Sequence, residues 1–182
     1  NDPENVDFLV QLGEFLRQDD KASAAIPLLK QATELAPNDA NVWTNFGAAL
    51  QQDKNIADAK IMYEKALDLN PRSAVISSNL GAIAKALGEW ETALQYFEKA
   101  LEVEPDRAEV HDNLGVTLKE LGRLEEAEAS YKRAIRLSPD FAEAHYNLGV
   151  TLHELGRFDE AEVSYNRVIE LREQFLLRRV KE

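Results

Sequence analysis

The chain has 182 residues, 45% of them apolar, with 21 Lys and Arg against 33 Asp and Glu, a net charge of −12 and no cysteine. This acidic balance opposes binding to nucleic acid or anionic membranes, whose affinity comes largely from Lys and Arg, and favours solubility and weak attraction for basic partners. Without cysteine there are no disulfides and no thiolate metal sites, and no apolar run approaches the roughly 20 residues needed to cross a bilayer.

The opening stretch "NDPENVDF" offers neither a basic n-region nor an apolar h-region, so no signal peptide is read there. The first residue is not Met, and Pro3 stands where a preceding repeat would close. The expectation is therefore a piece of a longer protein that continues upstream. Prolines then mark a ruler: Pro37, Pro71, Pro105 and Pro139 lie 34 residues apart, in step with Pro3. Gly13, Gly47, Gly81, Gly115 and Gly149 keep the same period, as do Ala25, Ala59, Ala93, Ala127 and Ala161. The column Ala32, Ala66, Ala100 and Ala134 ends in Val168. Internal repeats are sought first because they decide the fold. The copies fall at 6–39, 40–73, 74–107, 108–141 and 142–175 of a single domain, with a C-terminal helix extension at 176–182.

Each copy holds two amphipathic stretches of about 13 residues, the length and spacing of helices. Copy one is worn. Asp20 stands at the turn-glycine place, Leu9 stands where copy two has Trp43, and Pro27 lies inside the second stretch, which predicts a late start near Ser23 or a kink. Copy two has Lys54 at the turn, with Asn55 expected to supply the left-handed residue. In copy three, Ile76, Leu80, Ile83, Ala84 and Leu87 mark one helix face, Gly88 allows a left-handed turn, and Trp90, Ala93, Leu94, Phe97, Ala100 and Leu101 mark the next. Pro105 ends that helix. Gly81 and Ala93 leave room for the paired helices to approach. Copies four and five repeat "NLGVTLKELGR" at 113–123 and "NLGVTLHELGR" at 147–157. Copy five has Glu173 in place of the closing proline, so its last helix is expected to run on to about Val180. Phe175, Leu176 and Leu177 are then expected to fold back on copy five.

This period and its pattern resemble the tetratricopeptide repeat (TPR) family, whose signature reads here as Trp43, Phe46-Gly47, Leu50, Ala59, Tyr63, Ala66 and Pro71 in copy two. In copy four it reads His111, Leu114-Gly115, Leu118, Ala127, Tyr131, Ala134 and Pro139. The resemblance covers about residues 6 to 173 and implies an all-α fold: a right-handed superhelical solenoid of five helix-turn-helix repeats, about ten helices with the last extended. It also implies that first helices line the concave side.

No catalytic constellation is found. His111 and His145 share the Trp43 column, which reads as interhelix packing, and His153 has nothing nearby to complete a metal site. Motifs for zinc proteases, phosphate loops and serine nucleophiles are missing. Glu125-Glu126 and Asp159-Glu160 open second helices, where they favour the helix dipole. The protein is expected not to be an enzyme and to need no cofactor and no metal.

One column is not required by packing. Asn45, Asn79, Asn113 and Asn147 precede the Leu/Phe-Gly pair, with Gln11 in copy one. The family resemblance places this column on the concave groove, beside Thr44, Ser78, Asp112 and Tyr146, a floor of Ala48, Ala82, Val116 and Val150, and Gln51, Lys85, Lys119 and His153. An amide carries both donor and acceptor, so an evenly spaced ladder of them suits an extended peptide backbone. The ladder resembles the TPR superhelix of O-linked N-acetylglucosamine transferases. The competing reading is that these asparagines bond neighbouring helices.

The expected peptide-binding set is Asn45, Asn79, Asn113, Asn147, Tyr146, Lys85, Lys119, His153 and Asp112. Groove charges are Arg17, Lys85 and Lys119 against Asp7, Glu14, Glu109, Asp112, Glu120, Glu143 and Glu154, which disfavours a dicarboxylate clamp and favours neutral or basic segments. The function expected is a protein-protein interaction scaffold. The alternatives are a substrate-recruiting arm of a larger enzyme, such as a glycosyltransferase, and a self-assembling structural piece. A monomer is expected, with the solenoid ends as the route to a dimer.

Overall fold

In a computed structural model, which describes residues 5–179, the two stretches of every copy are helices and their starts keep the 34-residue step. The first helices are α1 (Val6–Gln18), α3 (Ala40–Gln52), α5 (Ala74–Ala86), α7 (Ala108–Glu120) and α9 (Ala142–Glu154). The second helices are α2 (Ala22–Leu35), α4 (Ile56–Leu69), α6 (Trp90–Val103), α8 (Leu124–Leu137) and α10 (Phe158–Arg179). The fold is all-α, and among the described residues no helix is long and apolar enough to cross a membrane.

Side chains start several helices. Asn5 accepts from the Phe8 amide at 3.1 Å and Asp39 from the Asn41 amide at 2.8 Å, satisfying donors that a helix start leaves open. The turn inside each copy is closed the same way. One residue takes a left-handed conformation, and the amide after it reaches back to the carbonyl five residues earlier, as in Arg123 to Leu118 at 2.9 Å. Gly88, Gly122 and Gly156 fill that place in copies three to five, and Asp20 (φ 60°) and Lys54 (φ 65°) in the first two. Lys54, not Asn55, is therefore the left-handed residue of copy two. Asn55 is committed elsewhere, as the cap of α4, accepting from the Asp58 amide.

The glycine column has a packing cause. A Cβ on Gly47, Gly115 or Gly149 would lie 3.0, 2.6 or 2.6 Å from the ring of Tyr63, Tyr131 or Tyr165, and on Gly13 it would lie 2.8 Å from Leu29. In copies one, two, four and five the second helix thus presses its large side chain onto the bare backbone of the first.

Within α1–α4 and within α6–α10 helices pack on their chain neighbours, as expected of repeats that cannot bury an apolar face alone. The helices group into two compact units, one ending at Ile83 and one beginning at Ala84, within α5. In the first unit α2 packs against both α1 and α3, and Leu9, Ala32 and Val42 form one buried cluster while Ala25, Leu29 and Ala49 form another. In the second unit Leu118, Ala127, Tyr131, Leu148, Leu152 and Ala161 form the core between α7, α8, α9 and α10. Each large buried side chain there contributes about 1.5–3 kcal/mol.

Two expectations change. α2 does not start late: it begins at Ala22, in register with the other second helices, and carries Pro27 inside. Pro27 is exposed, so the Ser23 carbonyl that loses its helical donor faces water. At the other end α10 does run on, to Arg179, with Val180 outside the described residues. Phe175, Leu176 and Leu177 do not fold back; they stay exposed on the continuing helix. With Glu173 in place of proline nothing breaks the helix, and a continuous helix cannot return on its own repeat.

Candidate functional site

In the first unit, residues from three first helices meet around one cavity of about 580 Å³. Arg17 comes from α1, Thr44, Asn45, Ala48, Gln51 and Gln52 from α3, and Val75 and Asn79 from α5, with Tyr63 of α4 behind them. Arg17, Thr44, Asn45, Gln51 and Asn79 are half-buried, Tyr63 is buried and Gln52 is exposed, and several of their polar groups are tied. The Tyr63 hydroxyl donates to Gln51 Oε1 at 2.9 Å, and burial pushes its pKa up to about 12 against the pull of the Arg17 charge. Gln52 Nε2 donates to the Arg17 carbonyl at 3.0 Å and to the Asp20 carboxylate at 3.2 Å. Asn45 Nδ2 donates to the Asn41 carbonyl of its own helix at 3.1 Å. Arg17 Nε is buried without a hydrogen-bond partner. A second hollow of about 360 Å³ adjoins through Thr44 and Asn45, between α1 and α3, and it carries Asp7, Glu14 and Asp39.

The second unit arranges the same columns differently. Lys85 Nζ donates to Asn113 Oδ1, and Asn147 Nδ2 donates to Asp112 Oδ1 at 3.0 Å. Asp112 is buried, so desolvation raises its pKa, opposed by the Asn147 hydrogen bond; Glu143 adds to the rise and Lys85 opposes it. Lys119 lies 3.2 Å from Glu120 and 3.7 Å from Glu154. Tyr146 is exposed and leans on Tyr165 with ring centres 6.0 Å apart, and His153 meets Phe158 edge-on at 5.1 Å. The nine expected residues thus fall into two sets. Asn45 and Asn79 line the cavity of the first unit, while Asn113 and Asn147 are engaged with charged neighbours.

Three ring contacts explain a column that composition left as packing. Trp43 Nε1 donates to the Pro37 carbonyl at 2.8 Å, and His111 Nε2 and His145 Nε2 sit 2.8 and 2.9 Å from the carbonyls of Pro105 and Pro139. A carbonyl only accepts, so both histidines carry the proton on Nε2. The signal was present as a six-residue step from Pro37, Pro105 and Pro139 to a ring that bears an N–H, whereas Ser77 stands at that step from Pro71. Arg157 was missed as well. It stands just before α10, bonds Glu160 in the first turn of that helix and reaches Glu128 of the preceding copy at 2.6 Å. Burial disfavours the Glu128 charge, but hydrogen bonds from Lys132 and Arg157 hold its pKa below the usual carboxylate range.

Tetratricopeptide repeat family models match residues 16–78, 74–107, 96–129 and 142–175, and a TPR repeat model matches 117–156. No curated relative matches the sequence. Among solved structures, MamA from Desulfovibrio magneticus RS-1 superposes with a TM-score of 0.85 at 21% identity, over 96% of this chain and 97% of that one. PilF of Pseudomonas aeruginosa gives 0.84 at 22%, over 91% and 75%. YrrB, a TPR protein with an unusual peptide-binding site, gives 0.76 at 24%, over 96% and 90%. At these identities the likeness carries the fold alone.

Proposed function

The chain belongs to the tetratricopeptide repeat family, and from that premise we propose that it is a protein-interaction module whose first unit holds an extended peptide against the amides of α3 and α5. The observation that carries this reading is the cavity of about 580 Å³ in which Asn45, Thr44 and Gln51 meet Asn79 over the small floor residue Ala48. Two asparagines offer about four hydrogen bonds to a peptide backbone. At roughly 0.5–1.5 kcal/mol each they contribute about 2–6 kcal/mol. Association and ordering cost several kcal/mol, so side-chain anchors are required, and affinity reaches about micromolar, near −8 kcal/mol. The adjoining hollow with Asp7, Glu14 and Asp39 favours neutral or basic segments. In the second unit a peptide has to exchange the Lys85–Asn113 and Asp112–Asn147 bonds for its own, which weakens the gain there.

Selection from a random peptide library on the whole protein, followed by anisotropy titration of the enriched peptides, tests this. Enriched peptides should be neutral or basic and should lose about tenfold or more in affinity to an Asn45→Ala/Asn79→Ala variant with an unchanged melting curve. Equal binding by that variant refutes the reading.

A further inference from the structure

A hollow of the second unit lies apart from the asparagine column. Ile135 of α8, Leu148 of α9 and Val163 of α10 line a space of about 480 Å³, rimmed by Lys132, Arg136 and Arg167. Leu148 is buried, Ile135 half-buried and Val163 70% exposed, so an apolar floor opens to solvent. His145, which also lines the hollow, stands two residues before Asn147, about 200° around α9. The hollow therefore faces away from the asparagines. Its mouth does not depend on an end of the chain. In copies that are followed by another, the Val163 column holds Ile61 and Ala129, both exposed. The Arg167 column there holds Lys65, exposed, and Arg133, half-buried.

Charge selects the occupant. Three cations rim the hollow and none of its described lining residues is Asp or Glu, in a chain of net charge −12. Two of the cations are shared with carboxylates outside it. Lys132 lies 2.6 Å from Glu128, and Arg167 lies 2.8 Å from Asp140 and 3.0 Å from Glu170. Arg136 has no ion-pair partner among the described residues. Its column is acidic in every other copy, as Glu34, Asp68, Glu102 and Glu170. The same three columns one copy earlier hold Glu98, Glu102 and Arg133, so the all-cationic rim belongs to copies four and five. A place in the last turn of α8 suits Arg136 to the helix dipole, but the dipole accounts neither for Lys132 nor for the open apolar floor between the three cations. We propose that this hollow docks an acidic segment of a partner protein. One large apolar side chain of that segment enters over Leu148 and Ile135, and flanking carboxylates meet Arg136, Lys132 and Arg167. Covering the floor requires a partner with apolar side chains beside its charge. The net charge of the chain opposes a polyanion such as nucleic acid. An exposed ion pair adds only about two- to fivefold in affinity. The apolar side chain therefore anchors the segment, and the cations select acidic over basic sequences.

A displayed peptide library with a central Trp and random flanks, selected on the whole protein and sorted against Arg136→Glu, tests the proposal. Peptides held by the parent and lost on the variant should carry Asp and Glu around the Trp. In anisotropy titrations they should bind Arg136→Glu about tenfold more weakly, from a lost attraction and a new repulsion of about two- to fivefold each. Arg136→Gln, which adds no charge, should weaken them about two- to fivefold. Val163→Glu in the protein, or Gly for Trp in the peptide, should abolish binding, and added salt should weaken it. Asn45→Ala/Asn79→Ala should leave it unchanged, which separates this hollow from the peptide site of the first unit. Arg136 and Val163 are exposed, and circular dichroism checks that each variant is folded. A selection without acidic peptides that depend on Arg136, or acidic peptides that Val163→Glu still binds, overturns the proposal. Self-association of the parent that Arg136→Glu abolishes also overturns it, by giving the hollow to a second copy of this chain.

Discussion

Replacing Gly115 with alanine adds one methyl group to α7, 2.6 Å from Cε1 and 2.8 Å from Cδ1 and Cζ of Tyr131. Carbon atoms rest at about 3.5–4.0 Å, so one side must move. Tyr131 is fully buried against Leu118, Ala127, Leu148 and Leu152, and its ring cannot swing aside without opening that core. Overpacking of this kind costs about 1–3 kcal/mol, while alanine returns about 1 kcal/mol of helix propensity over glycine. Three ring atoms under 3.0 Å put the clash at the upper end of its range. The net expectation is a loss of about 1–2 kcal/mol, or about 2–8 °C in melting temperature for a chain of this length. Urea denaturation followed by circular dichroism measures the loss, and hydrogen exchange should place it in α7 and α8, since repeats contact only their neighbours. Gly122→Ala is the control. It adds the same methyl where nothing lies within 4 Å but at φ +75°, so its cost of about 1 kcal/mol comes from the backbone. A Gly115→Ala protein as stable as the parent would refute the close approach of α7 and α8.

The buried Tyr131 hydroxyl has no hydrogen-bond partner; the Thr151 hydroxyl beside it donates to the Asn147 carbonyl, and copy three uses Phe97 in this column. Tyr131→Phe should therefore be neutral or slightly stabilising, whereas Tyr63→Phe, which loses the Gln51 bond, should cost about 0.5–1.5 kcal/mol by denaturation. Asp112 has a folded pKa above its ordinary 3.8, so the folded state binds the proton more tightly and stability falls as pH rises through that window. Asp112→Asn should thus raise the melting temperature at neutral pH, with the gain vanishing below about pH 3.8 as both states of the parent become protonated. His145→Phe keeps the ring and loses the bond to the Pro139 carbonyl, and should cost about 0.5–1.5 kcal/mol in the same assay.

The ten helices of the described residues, their register and the extended last helix were legible in the sequence. Pro, Gly and Ala recur every 34 residues because each repeat meets the same neighbours in the same way. Legible too was the close approach at the glycine column, since only glycine admits a ring at that distance. The left-handed backbone at Asp20 and Lys54 was not legible from residue type, because the hydrogen bonds closing each helix impose that conformation whatever side chain is there. Nor were the states of the asparagines. Asn45, Asn79, Asn113 and Asn147 occupy one column, yet Asn113 meets Lys85 and Asn147 meets a buried Asp112, and those neighbours come from helices 28 and 35 residues away in the chain. A one-dimensional period records which positions are equivalent. The charge and burial each position meets depend on residues of other copies that are not equivalent, and tertiary packing alone brings those together.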